Sequence, residues 1–160
     1  LAETLCAACI EAPFYCDQSV YIVLPRPEQP WPLGALLACT SSRVVATLLR
    51  ARYQEDDRLF PQLKLAELRT LPLPPVDPGG DAVRALAADA HALQALEARR
   101  GGLLANSLER DGARARRRAL RAGWPDPQDW AARALGREID GLRSQIEAAV
   151  ARLYDVEGLV

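Results

Sequence analysis

The sequence predicts an α+β protein, mostly α. A small N-terminal β-hairpin with one packed helix precedes an antiparallel, coiled-coil-like helical pair. Three observations carry this expectation. Ten of the twelve prolines fall before residue 79, which separates a compact first half from a helical second half. Two short segments near the N-terminus alternate apolar, β-branched residues with others, the period of a half-buried strand. Leu135, Ile139, Leu142, Ile146, Ala149 and Leu153 recur at spacings of four and three, a heptad seam. Residues 1–78 and 79–160 are therefore read as two regions divided by Leu-Pro-Leu-Pro-Pro-Val-Asp-Pro-Gly-Gly, Leu71–Gly80, which neither helix nor central strand tolerates.

In chain order, Thr4–Ile10 and Ser19–Leu24 are the predicted strands. They are joined through a Glu-Ala-Pro turn, and Pro25, Pro27, Pro30 and Pro32 end the second. Leu33–Tyr53 places Leu36, Leu37, Val44, Val45, Leu48 and Leu49 on one helical face, with Arg43, Arg50 and Arg52 opposite. Gln54–Leu63 is a polar loop, and Lys64–Arg69 a short amphipathic turn or helix. Asp81 is a cap for a helix carrying Val83, Leu86, Ala90 and Leu93, which stops at Gly101-Gly102. A basic helical segment, Leu103–Ala122, ends at Gly123, and Asp126-Pro127 starts the last helix with a capping carboxylate and proline at the first helical position. The seam on that helix fits either the Asp81–Arg100 helix of the same chain or a second chain. The intrachain antiparallel pair is the simpler arrangement because the two helices have similar length.

Composition narrows the function classes. With 160 residues, 49% of them hydrophobic and 26% charged, the chain is of a size and make-up to fold, with room for one ordinary domain. The longest uncharged stretch, Gln29–Ser42, contains two prolines and a glycine and is too short for a membrane span. No signal peptide is visible. A cytoplasmic protein, cut from a longer chain, is the expectation. The net charge of −1 conceals a local excess, because residues 99–121 hold eight arginines against Glu109 and Asp111.

The chemistry for catalysis is missing. No G-x-G-x-x-G or P-loop spacing occurs. Asn106 is the only asparagine, so no Asn-Pro-Pro-Tyr motif exists to position a base amine for methyl transfer. The single histidine, His91, has no nucleophile beside it in sequence. Cys6 and Cys9 have the spacing of half a zinc knuckle, but no second pair follows, so Cys6, Cys9, Cys16 and Cys39 are read as small apolar residues rather than metal ligands or disulfides. Glu55, Asp56 and Asp57 read as a solvated acidic run rather than a cation site. No catalytic residue, metal or cofactor is assigned to this chain.

What remains is recognition. Arg50, Arg52, Tyr53, Gln54, Arg58, Gln62 and Lys64 cluster on the polar loop and its flanks, and such side chains form two-pronged hydrogen bonds to guanine or adenine edges. Arg114, Arg117, Arg118 and Arg121 on the basic segment suit phosphates, without sequence information, or a merely solvated face.

The run Gly34-Ala-Leu-Leu-Ala-Cys-Thr-Ser-Ser-Arg-Val-Val, then Gln54-Glu-Asp-Asp-Arg-Leu-Phe-Pro-Gln-Leu-Lys-Leu-Ala-Glu-Leu-Arg-Thr-Leu-Pro-Leu-Pro, resembles the signature of TaqI-like C-terminal specificity domains. Asp17–Tyr21 upstream, and Arg137–Asp140 with Val150–Val156 downstream, fit the same order. The chain departs from that pattern at Cys39-Thr40-Ser41, where Leu-Asn-Ser is usual, and at Leu153-Tyr154-Asp155, where Leu-Tyr-Gly is usual. The resemblance implies a target-recognition fragment, with residues 1–78 as part of its α/β region. The parent would be an adenine-N6 DNA methyltransferase of a restriction-modification system, with or without a fused nuclease. Double-stranded DNA and the parent's own methyltransferase domain are the implied partners, and S-adenosylmethionine is the cofactor of that separate domain. The competing class is a partner-binding or self-associating helical module in which residues 81–154 are the working surface.

Overall fold

A computed structural model describes residues 5–10, 12–16, 20–24, 28, 30–52, 64–110 and 127–155. Among these, every regular element is a helix: α1 (Leu33–Thr40), α2 (Arg43–Arg52), α3 (Leu65–Leu68), α4 (Asp81–Arg110) and α5 (Pro127–Leu153). The described residues contain no strand, which corrects the expected α+β class and its N-terminal hairpin. Residues 5–10 and 20–24 are irregular. Val20–Leu24 lie open to solvent, from 46% exposed at Tyr21 to 77% at Leu24, and Ile10 is exposed too, while Leu5 and Cys9 are half-buried. Alternation specifies a strand only where one face has something to bury against, and a lone two-stranded ribbon is marginal in water.

The chain forms two compact units, residues 1–91 with 145–160, and residues 92–144. In the first, the expected single helix over Leu33–Tyr53 is instead two, meeting at 61°. The hydroxyl run Thr40-Ser41-Ser42 explains the break, because short polar side chains offer the backbone alternative hydrogen bonds. Thr40 Oγ1 donates back to the Leu36 carbonyl at 2.8 Å. Ser42, 1% exposed, donates to the Cys39 carbonyl at 2.7 Å and accepts the Val45 N–H at 3.3 Å. Ser42 is thus a satisfied buried hydroxyl and the cap of α2.

The core of this unit gathers Ala35, Ala38 and Cys39 of α1 and Val44, Val45 and Ala46 of α2. It continues through Val83, Leu86, Ala87 and Ala90 of α4 and Ile146, Val150 and Ala151 of α5, all buried. Burying one side chain such as Leu86 contributes about 1.5–3 kcal/mol. The antiparallel sense of α4 and α5 is fixed by Gln145 Nε2 donating to Asp89 Oδ2 at 2.9 Å. Gly34 lies where α1 crosses α4: a methyl group there would stand 2.6 Å from the Ala87 carbonyl and 2.7 Å from His91 Nε2.

The second unit pairs the middle of α4 with the first half of α5, also antiparallel, through an ion pair between Arg143 and Glu97. Leu135 and Ile139 are buried and Leu142 is half-buried, so the seam packs within one chain. Helix α4 runs through Gly101-Gly102 to Arg110, past the expected stop. Each glycine weakens a helix by only about 1 kcal/mol, and no left-handed turn terminates it there. The Leu103–Ala122 segment is described only to Arg110, as the end of α4 from Leu103 onward. No single described helix is long and apolar enough to cross a membrane.

Candidate nucleic-acid interface

Of the predicted DNA-reading residues, Arg50, Arg52 and Lys64 are described, and they stand on the two flanks of one stretch in the first unit. Helix α2 ends in Arg50 and Arg52, both exposed in its last turn. The chain is described again from Lys64, which precedes α3. Arg52 Nη1 donates to the Thr70 carbonyl at 3.5 Å, so the two sides of the 53–63 stretch belong to the same corner. Lys64 is held locally: its N–H donates to Glu67 Oε2 at 2.9 Å, and its ammonium stands 3.7 Å from Glu67 Oε1. Tyr53, Gln54, Arg58 and Gln62 lie outside the described residues, as do Arg114, Arg117, Arg118 and Arg121.

A groove of about 320 Å³ opens at this corner, lined by Leu48, Leu49, Ala51, Arg52, Leu71 and Pro72. Its walls are held by contacts that span the sequence. The backbone N–H of Arg43, the first residue of α2, donates to both carboxylate oxygens of Glu147 on α5 at 3.1 Å, a cap supplied from 104 residues away. On the other wall, the Tyr154 hydroxyl donates to the Pro72 carbonyl at 2.7 Å. Neither contact is legible from local sequence, because each joins positions brought together only by packing.

Tyr154 also meets Cys39. Burial pushes Cys39 up to about 11 from an ordinary 9.0, with the tyrosine hydrogen bond opposing the shift. Burial likewise pushes Tyr154 up, reinforced by Cys39. Both groups are neutral and unreactive at physiological pH, which makes Cys39 a packing residue. Cys6 and Cys16 are exposed and Cys9 is half-buried. The expected burial of a cysteine thus holds at Cys39 and not at Cys6, for want of a sheet whose inner face the N-terminal cysteines would line.

After Leu153 the backbone turns through Asp155, which adopts a left-handed φ of 54°. Helices commonly end on such a residue, and glycine is favoured there. Comparison with known proteins finds no matching family model, no matching curated protein and no matching solved structure.

Proposed function

We propose that this chain is the DNA target-recognition portion of a cytoplasmic adenine-N6 DNA methyltransferase of a restriction-modification system. In this reading S-adenosylmethionine and the methyl transfer belong to a separate domain of the parent enzyme. The observation that carries it is the corner just described. A polar stretch rich in arginine, tyrosine, glutamine and lysine leaves α2 at Arg52 and rejoins at Lys64, on a frame held by Glu147 and Tyr154. Binding residues carried on loops set by a rigid scaffold are the common arrangement for recognition.

Two further points support the reading. Residues Arg58–Pro74 are the most distinctive part of the resemblance to TaqI-like specificity domains. Asp155 takes a glycine-like conformation where that pattern carries glycine. The test is selection of bound duplexes from a randomised pool with the parent-length protein, followed by Arg58→Ala and Lys64→Ala. A selected site whose affinity falls by about 1–3 kcal/mol, with relaxed preference at one position, supports base reading. A pool that shows no enrichment overturns it.

One observation favours a second reading, a partner-binding module. Ile10, Phe14 and Val20–Leu24 are all large apolar residues with 44–77% of their surface exposed, and contiguous apolar surface commonly marks an interface. A chain that oligomerises with concentration and ignores DNA would select this reading.

A further inference from the structure

The groove beside α2 has a character that hydrogen-bonding side chains do not account for. Leu48, Leu49, Ala51, Leu71 and Pro72 line it, with Arg52 and Thr70 as its polar members. Leu48, Leu49 and Leu71 are half-buried, while Ala51 and Pro72 are exposed. Apolar surface therefore faces water in the part of the protein assigned above to base reading, and all of it lies in one structural unit. The charges around it define a suitable occupant. Its two walls, residues 48–52 and 64–72, carry Arg50, Arg52, Lys64 and Arg69 against a single carboxylate, Glu67, which stands 3.7 Å from the Lys64 ammonium. The intervening stretch adds Arg58 against Glu55, Asp56 and Asp57, so residues 48–72 hold five basic and four acidic side chains, a balance of +1. Cations on the walls favour a polyanion, and the apolar floor requires that this polyanion also present an apolar group.

In the major groove of DNA the base edges offer hydrogen-bond donors and acceptors and one apolar group, the C5 methyl of thymine. Resting on the DNA-recognition reading, we propose that this groove reads that methyl: the target contains a thymine whose C5 methyl seats against Leu49, Ala51 and Leu71. Arg52 is a positioning residue for the contact, because its Nη1 donates to the Thr70 carbonyl at 3.5 Å and ties one wall to the other. The contact uses no hydrogen bond and discriminates by what fills the groove. Uracil keeps every hydrogen-bonding group of thymine and lacks only the methyl, so with uracil at the same position the apolar wall stays wet. Thymine is thus read from its apolar side here, while two-pronged hydrogen bonds to purine edges remain the task of the polar side chains.

The test takes the duplex selected by the parent-length protein, replaces each thymine in turn by deoxyuridine, and reads affinity by fluorescence anisotropy. One position is expected to lose about three- to fivefold, the worth of one buried methyl, and the other thymines nothing. Leu71→Ala and Ala51→Asn are then measured on the thymine and uracil forms of that position. Ala51 is exposed, so its variant carries the comparison where Leu71→Ala fails to fold. Each variant is expected to bring the thymine-to-uracil affinity ratio toward one. A selected site without thymine, or one at which every uracil is neutral, overturns the proposal and leaves the DNA reading standing. So does a ratio unmoved by either variant, which would assign the groove to packing within this chain or to a second copy of it. A pool that yields no selected duplex overturns both.

Discussion

Gly34→Ala isolates the closest approach in the fold. Alanine favours helix over glycine by about 1 kcal/mol in a helix interior, so a purely local argument predicts a gain. The structure reverses the sign. The new methyl would lie 2.6 Å from the Ala87 carbonyl and 2.7–2.8 Å from the His91 ring, whereas ordinary contact begins at 3.4 Å. The exposed His91 ring can swing aside, but the Ala87 carbonyl belongs to the backbone of α4 and cannot. Helices α1 and α4 must therefore separate, loosening the packing of Ala35 and Leu86, which are 0% and 1% exposed. Overpacking of this kind costs about 1–3 kcal/mol. Since Gly34 is near the start of α1, where helix preference counts for less, the net expectation is destabilisation by about 1–2 kcal/mol. The internal comparison is Gly141→Ala in the interior of α5, where a methyl group meets nothing within 4 Å and the helix preference acts alone, stabilising by up to about 1 kcal/mol. Urea titrations followed at 222 nm read both as midpoint shifts at constant slope. A Gly34→Ala midpoint at or above that of the unaltered protein would refute the close crossing.

Three further outcomes follow from the same geometry. Glu147→Ala removes the carboxylate that accepts from the Arg43 N–H and should destabilise by about 1 kcal/mol, the usual worth of a helix cap, while Glu147→Gln, which keeps one acceptor, should lose less; equal losses would count against capping. Asp155→Gly relieves a left-handed residue at φ 54° and should raise stability by roughly 0.5–1 kcal/mol in thermal melts; a loss would show that the carboxylate has a partner of its own. Cys39 is raised from 9.0 to about 11, so its contribution is full below pH 9, where both states hold the proton, and is lost as pH climbs toward 11, because the unfolded thiol ionises first. Two pH units correspond to about 2–3 kcal/mol, and Cys39→Val should flatten the decline between pH 9 and 11, the residual slope belonging in part to Tyr154; an unchanged decline would show that Cys39 is not its source.

The helical half was legible because its signals repeat. Leu135, Ile139 and Ile146 recur over several turns and each became a buried position, and Pro127 does open α5. The first half was misread where short patterns depend on their surroundings. Val20–Leu24 has strand composition, yet its side chains meet solvent on both faces, and β preference is realised only against packing partners. At Ser42 the apolar period continues across the α1–α2 junction, so periodicity alone reads one helix, while the hydroxyl that ends it acts through hydrogen bonds the period does not encode. At Gly101-Gly102 the error ran the other way, with a breaker signal of about 2 kcal/mol overridden by the helix around it. Of the candidate site, the sequence yielded Arg50, Arg52 and Lys64 but neither Glu147 nor Tyr154, which act from the far end of the chain.

That division bears on how the loop corner works. Arg52 and Lys64 flank a stretch that carries Glu55-Asp56-Asp57 beside Arg58 and Gln62. The groove walls at its two ends are positioned by α5 and the turn after it, through the carboxylate under α2 and the phenol against Pro72. Glu147 lies in the last two turns of α5 and Tyr154 directly follows its end, and the helix's Ile146, Val150 and Ala151 are buried in the same core. A shift of α5 along its axis therefore displaces the two walls together rather than separately.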